Sequence, residues 1–175
     1  MLVALAAGAL LGVAPFATLA WNPRGLVAGI VATAPLLLLL WWCLHTRVAP
    51  IARLVRLVME RVAPLFAGSS PVTVALVAAL AGVGEEVLFR GVVQTSLLEH
   101  LSPWAAVAVT AVLFGLAHCL TAAYALLAAL VGAYLGWLHL VSGNLLVPIV
   151  THALYDLVAL LLLLDVKPTT PSSVL

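Results

Sequence analysis

Apolar runs, each about as long as a helix must be to cross a bilayer, follow one another along this chain. They lie near 2–20, 25–45, 72–98, 103–120, 122–141 and 146–164. A helix needs roughly 20 apolar residues to span a hydrocarbon core, and lipid tolerates only structures that satisfy every backbone N–H and C=O internally. Of the 175 residues, 66% are hydrophobic and 7% charged. A soluble domain is about 45–50% apolar and could not hide the excess. The expectation is all-α: a polytopic transmembrane helix bundle of about six spans, forming a single integral membrane domain.

The net charge of +1 excludes nucleic acid and offers nothing to an acidic soluble partner, leaving the lipid bilayer as the main surroundings. Cys43 and Cys119 both fall in apolar runs, which argues against a disulfide framework. No basic segment precedes Leu2, so the run 2–20 reads as a first membrane helix and not a signal peptide. The two N-terminal spans and the loop after them occupy 2–68, a four-helix core 72–164, and a flexible Thr/Ser/Pro-rich tail 168–175.

Thr46 to Gly68 is the one extended hydrophilic connection. Arg53, Arg56 and Glu60 recur at helical spacing opposite a stripe of Ile51, Leu54, Val55, Val58 and Val62. That pattern suits an amphipathic helix lying in the interface, or an ordinary connecting helix. Arg47, Arg53, Arg56 and Arg61 place this loop in the cytoplasm by the positive-inside rule, with both termini on the same side and Arg24 dissenting. The compact length suggests a bacterial inner membrane. Ser70-Pro71 and Ser102-Pro103 each fit a helix N-cap followed by proline. Ala128, Gly132 and Gly136, four residues apart, allow close helix packing.

Against this background Gly84-Glu85-Glu86-Val87-Leu88-Phe89-Arg90 is exceptional, because it puts two carboxylates and a guanidinium inside an apolar run. A charge at the centre of a membrane helix costs roughly 2.5–3.5 kcal/mol on insertion scales. His118 closes the fourth run, while His152 and Asp156 stand within the sixth. Glu86 with Arg90, and His152 with Asp156, are four residues apart and share a helix face. Such groups turn toward a bundle interior or a water-filled cavity. A carboxylate that is a candidate base, with two histidines to orient water or donate to an oxyanion, permits hydrolysis. A small proton-coupled transporter uses the same residue types.

These residues resemble a known family. Glu85-Glu86-Val87-Leu88-Phe89-Arg90 matches its EExxxR motif, Phe114 to His118 its FxxxH, and His152 to Asp156 its HxxxN/D. The chain is similar to the CPBP family of CAAX-processing and bacteriocin-processing intramembrane endopeptidases, also called ABI, over about Val72 to Leu164. The resemblance implies a glutamic-type protease acting on a membrane-anchored protein or peptide. In that pattern Glu85 activates water, His118 holds the water, and His152 with the residue four later stabilises the oxyanion. Glu86 and Arg90 then form a supporting ion pair. Asp156 stands where many relatives have asparagine, and an ionised aspartate only accepts hydrogen bonds. A carboxylate there orients His152 instead. The family also admits non-catalytic immunity or scaffolding members.

Plainer readings stand beside these. His118 and His152 could simply join helices, and His45, His100 and His139 read as ordinary interfacial residues. Cys119 beside His118 allows a zinc site to be drawn, but the HExxH pattern that places two histidines on one helix is missing. Zinc is therefore a minority alternative to no cofactor. No GxSG or GxGD setting supports a serine or aspartyl protease, and no internal repeat supports a transporter. Neither the substrate nor the oligomeric state is written in the sequence.

Overall fold

The computed structural model describes residues 1–165. Lys167 and the tail 168–175 lie outside the described residues. Seven helices carry the fold: α1 (Leu2–Leu11), α2 (Pro23–His45), α3 (Ala49–Arg61), α4 (Pro71–Leu98), α5 (Pro103–Ala117), α6 (Ala122–Ser142) and α7 (Leu146–Asp165). A short 3-10 turn, Ala63–Phe66, follows α3. No strand occurs among the described residues.

The helix starts are capped in different ways. Asn22 accepts from the Gly25 N–H with Pro23 following, Ser70 accepts from the Thr73 N–H ahead of α4, and Thr121 accepts from the Tyr124 N–H ahead of α6. Ser102 occupies the expected cap position before Pro103, but its side chain makes no capping bond. There the proline alone sets the start, its fixed φ and missing N–H suiting the first helical position.

Four of the six apolar runs form helices long and apolar enough to cross a membrane: α2, α4, α6 and α7. α5 has 15 residues. α1 has ten, about 15 Å at 1.5 Å per residue against a core of about 30 Å. The run 2–20 expected to form a first span is therefore broken. Gly12 adopts the left-handed conformation at φ 70°, which ends α1, and the chain turns through Ala14–Leu19. α3 exposes Arg53, Arg56, Glu60 and Arg61 and buries Leu54. It is a short amphipathic helix beside the bundle.

α7 packs between α2 and α4, and α5 forms an antiparallel hairpin with α6. Small residues set these distances. A Cβ built on Gly82 of α4 would lie 2.9 Å from both the Cβ and the backbone N of Ala153. Two helix backbones cannot both give way there. Gly82→Val is expected to cost about 1–3 kcal/mol through overpacking. It should lower the unfolding temperature in detergent and separate α4 from α7, the two helices that bring Glu86 to His152. An unchanged unfolding temperature would show that this crossing is looser than its geometry.

The centre of α4 is not a regular α-helix. Val87–Gln94 widens into a π-helix, a form that is rare and frequent at functional sites. Its neighbours hold the wide turn open. The Thr95 hydroxyl donates to the Arg90 carbonyl at 2.9 Å, five residues back. Arg90 and Gln94 reach across to α6, donating to the carbonyls of Gly132 at 2.6 Å and Gly136 at 3.0 Å. On the other side α1 lies along the segment: Ala4 packs with Val87, and the Pro15 carbonyl meets Gly91 so closely that only glycine fits.

Candidate active site

The π-helical segment delivers its polar groups to two different places. Glu86, Arg90 and Gln94 are fully buried, at 0% exposure, whereas the Glu85 side chain keeps 33% of its surface. Arg90 Nη1 donates to Glu86 Oε1 at 2.8 Å, and its guanidinium carbon lies 4.8 Å from the centre of the Phe114 ring. The cation is thus met by a carboxylate, a main-chain carbonyl and an aromatic face, which together offset its desolvation.

Glu86 does more than neutralise Arg90. Its Oε1 also lies 2.8 Å from His152 Nδ1. A carboxylate held by an arginine accepts, so His152 carries a hydrogen on Nδ1 and presents Nε2 to the far side. Asp156 Oδ2 lies 3.5 Å from that Nε2, a longer contact than the one to Glu86. Asp156 thus lies against His152, while Glu86, supplied by the neighbouring helix, makes the shorter contact to the other ring nitrogen.

His118 belongs to the second place. Its Nδ1 lies 2.8 Å from the Phe114 carbonyl, one turn earlier in α5. A carbonyl only accepts, so Nδ1 carries the hydrogen and Nε2 faces Glu85 Oε2 at 3.3 Å. Neutral Nε2 and an ionised oxygen are both acceptors, so this pair is favourable only with a proton held between them. Glu85 Oε2 is itself shut off from solvent, which leaves Oε1 as the oxygen that meets water.

The Phe114 ring stands between the two histidines. It stacks on His118 with centroids 4.4 Å apart and meets His152 edge-on at 5.9 Å. Gly132 makes room for it, since a Cβ there would lie 3.2 Å from Phe114 Cβ. The Phe114 ring thus meets Arg90, His118 and His152, and Glu86, Glu85 and Asp156 each lie against one of these three.

Other positions differ from expectation. His139 is buried, not interfacial, with Nε2 2.9 Å from the Thr18 hydroxyl. His45 is exposed and stacks on Trp41, and His100 is exposed. Cys119 is a free, exposed thiol, and among the described residues no three His, Cys, Asp or Glu side chains converge as metal ligands. Gln94 was missed, although it stands four residues beyond Arg90 in the same apolar run. Phe114 was noted only as part of a motif, with nothing to reveal that its ring separates two imidazoles.

An apolar helical bundle that encloses acids, histidines and an arginine at the depth of its spans is a membrane protein with an internal polar site. Residues 67–158, just over half of the chain, match the type II CAAX prenyl endopeptidase Rce1-like family. The chain belongs to that family of CAAX-type intramembrane proteases, the group its three motifs resemble, and is an integral membrane protein. The matched stretch contains Glu85, Glu86, Arg90, His118, His152 and Asp156. No curated protein and no solved structure matches the chain.

Proposed function

We propose that this protein is a glutamic-type intramembrane endopeptidase that cleaves a CAAX-type tail of a membrane-associated protein or peptide. The observation that carries the reading is the Glu85–His118 pair. Glu85 is the one carboxylate of the EExxxR motif open to water, and His118 Nε2 lies 3.3 Å from its inner oxygen. A water against Oε1 gives a proton to Glu85 as its oxygen attacks the scissile carbonyl carbon. The carbonyl becomes an oxyanion facing His152. Collapse breaks the C–N bond, and Glu85 returns the proton to the leaving nitrogen.

His152 stabilises the oxyanion from Nε2. With Nδ1–H already engaged by Glu86, it donates there as the doubly protonated cation, which the carboxylates of Glu86 and Asp156 neutralise from either side. Glu86 and Arg90 support this as positioning groups. The arginine-bearing connection 46–68 faces the cytoplasm, most simply of a bacterial inner membrane.

The test is cleavage of a farnesylated CAAX-type peptide by the purified protein in lipid nanodiscs, beside the same peptide without its lipid. Wild type is expected to cut the lipidated probe, and His118→Ala to lose about 10²-fold or more. A strong zinc chelator should leave the rate unchanged. Chelator-sensitive cleavage would move the reading to a metal site, and full activity of His118→Ala would remove the pair on which the reading rests.

A further inference from the structure

The hydrolytic reading gives the arginines of the connection 46–68 no chemical role. Arg47, Arg53, Arg56 and Arg61 are four of the chain's seven cationic side chains, and Glu60 is the one acid among them. All four arginines are exposed, and among the described residues none forms an ion pair. Even Glu60, one turn beyond Arg56 on the same face, makes no ion pair with it. Arg53 Nε donates to the Ala49 carbonyl at 3.3 Å, which lays the side-chain stem along α3 and leaves its two Nη groups for a ligand. Arg53 and Arg56 stand three residues apart, so they are neighbours on the helix surface. Two cations side by side repel, and an anion set against both turns that repulsion into attraction.

The surroundings of these arginines indicate what carries the anion. On the opposite face of α3 Leu54 is buried and Ile51, Val55 and Val58 are half-buried, and the helix touches α2 and α6. Apolar side chains stand open at both of its ends, Val48 at 49% exposure and Leu65 at 78%. Just before it, near the end of α2, Trp41 and Trp42 are exposed, and His45 stacks on Trp41 with centroids 4.8 Å apart. Tryptophan collects at the headgroup level of a bilayer, and an amphipathic helix with arginines on its polar face lies in the same plane. A soluble acidic partner would leave Trp41 and Leu65 in water, whereas a lipid surface takes the cations and the apolar groups together. A zwitterionic headgroup already carries an ammonium beside its phosphate; an anionic one offers its phosphate oxygens uncompensated, in the geometry a guanidinium fork matches.

We propose that α3 is a docking surface for anionic phospholipid, with Arg53 and Arg56 binding headgroup phosphate at the edge of the bundle. Arg47 and Arg61, at its two ends, extend the positive surface. The surface uses none of the residues of the candidate active site, so it stands or falls apart from the hydrolytic reading.

The test places the full chain in phosphatidylcholine vesicles and measures quenching of its tryptophan fluorescence by brominated phosphatidylglycerol and by brominated phosphatidylcholine. Wild type is expected to prefer the anionic lipid by about fivefold or more, the order that one arginine near such a surface contributes. The preference should shrink as salt is raised. Arg53→Gln with Arg56→Gln is expected to remove it at an unchanged unfolding temperature, because both side chains are exposed and unpaired. Arg24→Gln, at the start of α2, should keep it. Equal quenching of wild type by the two lipids, or a preference that survives in the double variant, would overturn the inference. So would a double variant that keeps its lipid preference but no longer binds soluble polyglutamate, which would assign these arginines to an acidic peptide.

Discussion

Glu85→Gln is expected to abolish measurable cleavage, a loss of about 10²–10⁴-fold, while the protein stays folded. The amide keeps the size and planarity of the carboxylate but has no basic oxygen to take a proton from water. The site survives the change because His118 does not depend on Glu85 for its position. The Phe114 carbonyl holds its Nδ1 and the Phe114 ring stacks on its face. With one third of its side chain exposed, Glu85 is not part of the buried core, so the unfolding temperature should move little. Cleavage of the lipidated peptide and thermal unfolding in the same detergent check both halves. Undiminished cleavage would mean that another group activates the water.

Arg90→Leu should have the largest effect on stability. Arg90 is fully buried and binds Glu86 and the Gly132 carbonyl at once. Removing one partner of a buried pair leaves an uncompensated charge, which costs about 3–5 kcal/mol. Glu86 would then retain only its bond to His152, and α6 would lose one of the two bonds tying it to the π-helical segment. The expected result is a large fall in unfolding temperature or failure to accumulate folded protein. Pairing the change with Glu86→Gln separates charge from shape. If the penalty comes from the stranded carboxylate, the double variant is more stable than Arg90→Leu alone. An equally unstable double variant would assign the loss to packing around Phe114 and Gly132.

The all-helical membrane class was legible in the sequence, and so were the polar residues of the candidate site. Glu85, Glu86 and Arg90 stand out because ionisable groups are rare in apolar runs and each needs a reason. His118, His152 and Asp156 stand out on the same ground. Hydropathy gave the four long helices, since length and apolarity are properties of the residues themselves. It failed at α1, where Gly12 ends the helix by backbone conformation while the residues around it remain apolar. Helical spacing gave only the partners on the same helix. Asp156 shares a face with His152, but the closer carboxylate, Glu86, comes from another helix across the Gly82–Ala153 contact. His139 looked interfacial because it stands alone near the end of its apolar run; Thr18, its partner, is 121 positions away. Main-chain acceptors are harder still to foresee. Gly132 and Gly136 were read as packing residues, and they are, but their carbonyls also receive Arg90 and Gln94.

The π-helical stretch changes the meaning of an insertion or deletion in α4. A π turn amounts to an α-helix with one residue too many. Losing a single residue between Val87 and Gln94 would let the helix relax to ordinary winding, which keeps the segments before and after the stretch nearly in phase and re-spaces only the side chains within it. Both glutamates would still be present, yet Arg90 and Gln94, which lie inside the stretch, would lose the spacing that brings both of them to α6. In this helix, spacing is inherited along with composition, and a one-residue gap would part a side chain from its partner with its chemistry unchanged.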